Sequence, residues 1–115
     1  MAKRRLALSV HQPFAELIML GEKNAEFRSR PTNIRGRVYV YASRTFDEYD
    51  REICEEAGLD PDKLPRGVIV GSVEIVDCVK DGKWYAYILE NPKRLKRPLK
   101  PTEHPQPKFF YPFGR

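Results

Sequence analysis

Residues 68–78 read Val-Ile-Val-Gly-Ser-Val-Glu-Ile-Val-Asp-Cys, a run so rich in β-branched side chains that extended chain is its natural state. Asp81-Gly82 follows as a turn signal and 84–89 is a second extended run, so the two form a β-hairpin. Whatever else this chain does, it must complete a sheet around that hairpin.

The material for the sheet lies upstream. Leu6 to Val10 reads as a strand that hands over to His11-Gln12-Pro13. A helix should follow, because Pro13 suits a first helical turn, Phe14, Leu17 and Ile18 share one face, and Gly21 is placed to end it. Residues 24–28 form a second strand, then a loop runs to Gly36. In 37–42, Val38, Val40 and Ala42 alternate with Tyr39 and Tyr41, the period-two signature of a strand. Thr45 and Glu48 make a capping-box pattern ahead of a helix with Phe46, Tyr49, Ile53 and Ala57 on one face, closed by Gly58. Residues 60–67 read as a loop. Six of the ten prolines stand at 92, 98, 101, 105, 107 and 112, which confines the last segment to loops and edge-type strands. The expected fold class is α+β: a small mixed β-barrel, closed or nearly so, of five or six strands with two inserted helices, forming one domain over residues 1–115.

Charge is distributed unevenly. Residues 45–63 hold eight of the 16 acids (Asp47, Glu48, Asp50, Glu52, Glu55, Glu56, Asp60, Asp62) and two bases, Arg51 and Lys63, leaving 19 of the 21 basic residues elsewhere. A surplus of that size either attracts polyanions or simply keeps a small domain soluble. Cys54 and Cys78 lack Cys or His neighbours at ligand spacing, so both are expected to be reduced packing residues, with no metal and no cofactor. Apolar runs such as 17–20 fall far short of the ~20 residues a membrane-spanning helix needs. The basic residues Lys3, Arg4 and Arg5 lead into no small-residue cleavage site. The expectation is a soluble, cytoplasmic monomer with no membrane association.

Four elements in order carry a family resemblance. They are Ala7-Leu8-Ser9-Val10-His11-Gln12-Pro13-Phe14-Ala15; Gly21-Glu22-Lys23-Asn24-Ala25-Glu26-Phe27-Arg28, which fits G-x-K-x-x-E-x-R; Ile34-Arg35-Gly36-Arg37-Val38 through Ala42-Ser43; and 68–78 with its final Asp-Cys. Together they resemble the ASCH domain family of the PUA-like superfamily. The resemblance implies a PUA-like β-barrel with a cleft beside the first helix, into which Lys23, Glu26 and Arg28 point, and binding of RNA or another nucleic acid. Two departures stand out. Phe14 occupies a position where coactivator-like members often carry Trp. A bacterial branch that removes acyl groups from N4-acylated cytidine uses a Lys, a Thr three residues on, and a Glu; here Lys23 matches, but Glu26 stands in the Thr position.

The residues themselves support two readings at each point. Lys23, Glu26 and Arg28 can share one pocket, with the lysine as a point charge and the arginine as a planar fork for phosphate, or form an ion pair that merely holds a turn. Ser9, His11 and Gln12 stand where a strand meets a helix, fit for an anion or for turn hydrogen bonds. Glu74 is either a paired carboxylate able to act as a base or an edge-exposed surface group. Arg35 and Ser43, from the third matching element, complete the expected ligand-binding set of Ser9, His11, Gln12, Lys23, Glu26 and Arg28. In an enzyme of this fold, an amidohydrolase on an acylated nucleoside or a ribonuclease, Lys23 and Glu74 would be the catalytic pair. The run Lys93-Arg94-Leu95-Lys96-Arg97 could track a phosphodiester backbone, exposed aromatics could stack bases, and the acidic helix could serve a protein partner.

Overall fold

A computed structural model describes residues 5–106 and 108–114. It contains β1 (Ala7–Val10), α1 (Phe14–Met19), β2 (Ala25–Arg28), β3 (Gly36–Ala42), α2 (Glu48–Ala57), β4 (Val68–Asp81), β5 (Trp84–Leu99) and β6 (Phe109–Phe110), with a 3-10 turn at Pro61–Lys63. The strands form one six-stranded sheet in the order β2-β5-β4-β3-β1-β6. Only β1 and β3 are parallel, and the other neighbours are antiparallel. The architecture is a small, barrel-like α+β fold.

The hairpin expected at Asp81-Gly82 is present: Asp81 pairs with Trp84 across the two-residue turn Gly82-Lys83. Its arms are longer than the sequence pattern suggested, because β5 continues through Pro92 and Pro98 to Leu99. Beyond Ile88 that strand has β4 on one side and no strand on the other among the described residues. A strand bonded on one side tolerates prolines, which lack the N–H that an inner strand must donate. The basic run therefore lies on an extended margin, the edge-type strand that its prolines permit. Gly71 is where this margin crosses closest: a Cβ there would lie 2.3 Å from the Lys93 carbonyl oxygen and 2.4 Å from Met19 Sδ. Only glycine fits.

The strand expected at 37–42 is β3, and both of its faces are buried. Val38, Val40 and Ala42 join Leu8, Val10, Ile18, Val73, Ile75, Tyr87 and Leu89 in the main core. Tyr39 and Tyr41 join Ala7, Ile69 and Phe110 in a second cluster on the opposite face. At 20–33 cal/mol per Å² of apolar surface, on the order of 2 kcal/mol per large side chain, this burial is what holds the sheet together.

Two features of α2 correct the sequence expectation. Its capping box is Asp47 with Asp50, in which the Asp47 side chain accepts from the Asp50 N–H and the Asp50 side chain accepts from the Asp47 N–H, not Thr45 with Glu48. Either acid-for-hydroxyl arrangement fits the pattern, and the helix begins two residues later. The inward side is then Asp50 and Cys54, while Tyr49 is 60% exposed. Gly58 closes the helix in the left-handed conformation as expected, at φ 70°.

The barrel does not close through backbone hydrogen bonds, since β2 and β6 remain the two ends of the sheet. The sheet nevertheless curls until its ends approach. Arg28 of β2 donates from Nη2 to the Ser9 carbonyl of β1 at 2.7 Å, and the Tyr87 and Phe109 rings stack at 6.3 Å between β5 and β6. A side chain, not a ladder, bridges the seam.

Candidate functional site

A cleft of about 860 Å³ opens at that seam. One lip is β2, carrying Glu26 and Arg28. The other is built by Ser9 in β1 and His11 after it, by Ser43, Arg44 and Thr45 after β3, by the start of α2 with Asp47, Tyr49 and Asp50, and by His104 to Gln106 with Lys108 ahead of β6. Phe14 and Tyr41 supply apolar wall.

Glu26 and Arg28 lie two apart on one strand and so share a face. Arg28 donates to Glu26 Oε2 from Nε at 3.0 Å and from Nη2 at 2.8 Å. Lys23 Nζ stands 3.5 Å from the other oxygen, Oε1, and lies over the Phe14 and Phe27 rings at 5.3 and 5.7 Å. The triad expected from the sequence is thus assembled, with Lys23 one layer behind the cleft wall.

Across the cleft, His11 Nδ1 lies 2.9 Å from Asp50 Oδ2; the imidazole is 39% exposed and the carboxylate 1%. Asp50 is buried because it does two jobs, accepting from the backbone of Asp47 and from His11. An ionised carboxylate can only accept, so His11 Nδ1 is the donor of that bond. His11, Asp47 and Asp50 are close enough for a metal, yet the capping box and the imidazole already account for that grouping. Lys108 adopts φ 69°, a left-handed backbone that costs a non-glycine residue free energy, and its carbonyl accepts from the Ser9 N–H at 2.7 Å. Arg44 and Lys108 have no carboxylate within ion-pair distance among the described residues. Tyr41 has its hydroxyl pKa pushed up by burial, with the Arg44 charge pulling the other way.

Of the remaining expected residues, Gln12, Arg35 and Glu74 lie outside the cleft lining and Ser43 belongs to it. Gln12 is fully buried, donating to the Pro65 carbonyl and accepting from the Glu16 N–H, which is the turn-bonding alternative. Arg35 is on the surface, donating to the Thr32 and Ile34 carbonyls and 3.9 Å from Asp77. Glu74 is partly exposed; it accepts from Asn91 Nδ2 and lies 3.9 Å from Arg37, so an arginine partners it and Lys23 does not. Ser43 lines the cleft while its Oγ accepts from the Thr45 N–H. Arg44, Asp47, Tyr49, Asp50, His104 and Lys108 escaped sequence reasoning. A signal existed only for Asp47 and Asp50, whose capping-box spacing was assigned to their neighbours.

A curled mixed sheet with two helices and a polar cleft at its seam defines a small, barrel-like domain of the PUA-like type. The chain belongs to the ASCH domain family, whose model matches residues 8–101. It is similar to Activating signal cointegrator 1 of Homo sapiens, at 29% identity over 81% of this chain. The Mus musculus protein of that name gives 28% over 81%. In both cases the chain spans about a fifth of the relative's length (20%). Among solved structures, an ASCH protein from Zymomonas mobilis superposes with a TM-score of 0.64 at 16% identity, covering 95% of this chain and 87% of the other. That likeness establishes the fold. Among the described residues, no helix is long and apolar enough to cross a membrane.

Proposed function

We propose that this domain binds RNA through the seam cleft. The observation that carries the reading is the pairing of two uncommitted cations, Arg44 and Lys108, with aromatic and hydroxyl-bearing wall residues in one cavity. Cations without a carboxylate partner are available to phosphate, and aromatic rings to bases. The exposed Lys93, Lys96, Arg97 and Lys100 on the β5 margin supply a second, sequence-independent contact with the phosphodiester backbone. The relatives' name, a cointegrator of activating signals, fits a domain that meets nucleic acid within an assembly.

The test is fluorescence anisotropy of labelled RNA and DNA at two salt concentrations, with wild type and the Arg44→Ala/Lys108→Ala variant. Both side chains are exposed, so folding should survive. The expected result is affinity that falls steeply with salt, and a logarithmic salt slope shallower by about one for each cation removed. Unchanged affinity and slope in the variant would sink the proposal.

A second reading rests on the His11–Asp50 pair. An imidazole oriented by a buried carboxylate is half of a general acid–base device, and the same cleft could then hydrolyse an acylated nucleoside or RNA. Inspecting the RNA for cleavage in the same tubes, with His11→Ala as control, separates the two.

A further inference from the structure

Lys23, Phe14 and Tyr49 form a layered stack at the cleft. The Lys23 ammonium lies over the Phe14 ring, and Phe14 stacks on Tyr49 at 6.2 Å between centroids and 28° between planes. The outermost layer is bare: Tyr49 lines the cleft and is 60% exposed. A tyrosine that pairs with one ring and leaves most of its surface uncovered is an unfinished stack, and a planar heterocycle would complete it. The cavity, at about 860 Å³, falls in the size range of small-ligand pockets. A volume of that order accommodates a single unstacked nucleotide.

His11 lines the same cleft. Its Nδ1 donates to Asp50 Oδ2, and in the neutral ring that leaves the Nε2 lone pair for a ligand. An acceptor at that point discriminates among bases. Adenine and cytosine present an exocyclic amino donor where guanine and uracil present a carbonyl oxygen.

Resting on the RNA-binding reading of the same cleft, we propose that it selects one unpaired base of a single strand, stacked on Tyr49 and recognised at its amino edge by His11, with Asp50 as the residue that positions His11. The ligand class is single-stranded RNA offering an accessible adenine or cytosine.

Anisotropy titrations would compare oligo(A), oligo(C) and oligo(U), an oligo(A) with one abasic position in each registration, and a duplex of equal length. Wild type should bind oligo(A) and oligo(C) about threefold to tenfold more tightly than oligo(U), the worth of one hydrogen bond, and all single strands more tightly than the duplex. Tyr49→Ala should weaken every single strand about tenfold, the worth of one stacked base, while Tyr49→Phe retains affinity. Asp50→Asn, isosteric with the native side chain, should level oligo(A) with oligo(U) without removing the stacking contribution, and His11→Leu should do the same. Equal binding of duplex and single strand, no effect of Tyr49→Ala, or a base preference that survives His11→Leu overturns the inference and leaves RNA binding standing. If wild type binds none of the strands, RNA binding itself is refuted and this inference falls with it.

Discussion

The two lips of the cleft are built on opposite terms. On the β2 lip, every charge is spent: Glu26 is gripped by Arg28 and approached by Lys23, and Arg28 also fastens the Ser9 carbonyl across the seam. On the lip formed by the β3–α2 junction and the approach to β6, Arg44, Tyr49 and Lys108 are exposed, and neither cation has a carboxylate within ion-pair distance among the described residues. The first lip holds the curled sheet in place, and the second is free to meet something else. A cluster of charged residues in a cleft is therefore no guide to binding until each charge has been traced to its partner.

That contrast can be broken by mutation, because stability should respond to the charges that already have partners, and ligand binding to the exposed Arg44, Tyr49 and Lys108. The largest stability effect belongs to Arg28→Ala, which removes three hydrogen bonds and leaves Glu26 with Lys23 alone; a loss of about 2–3 kcal/mol is expected in urea unfolding. Asp50→Ala strips both the capping box and the His11 contact and should cost about 2 kcal/mol. Asp47→Ala, on the exposed half of the box, should cost about 1 kcal/mol. A smaller effect is confined to alkaline solution. Burial raises the hydroxyl pKa of Tyr41 and of Tyr87 above the ordinary 10.0. The unfolded chain gives up these protons first, so their stability contribution is intact below about pH 10 and is lost as pH climbs through the folded-state values. Tyr41→Phe or Tyr87→Phe should flatten that alkaline decline in the urea midpoint. Tyr49→Ala closes the series, with a change within about 0.5 kcal/mol. A large stability loss there would erase the distinction between the lips.

The sequence made the first lip readable and hid the second. Glu26 and Arg28 are two apart on a short strand, and that spacing alone puts them side by side. His11 and Asp50, by contrast, are 39 positions apart, and no periodicity links them. Lys108 reaches the cleft only because β6 pairs with β1 from the far end of the chain. Helical spacing groups Tyr49 with Phe46, Ile53 and Ala57 as the apolar face, whereas the structure buries Asp50 and Cys54, one residue and about 100° further round the helix. The strands, the hairpin turn and Gly58 were recoverable because each depends on neighbours in sequence. The unclosed seam was not, since whether a sheet zips shut depends on strand ends that share no local signal.

The long β5 margin also bears on what can pair with the edge of this sheet. Beyond Ile88 its outer edge has no neighbouring strand among the described residues, the kind of surface on which another chain can grow. Pro92 and Pro98 interrupt that edge, and Lys93, Lys96 and Arg97 repel any copy that comes alongside. Replacing the prolines and neutralising the lysines would turn the margin into a template, and sheet would spread from molecule to molecule.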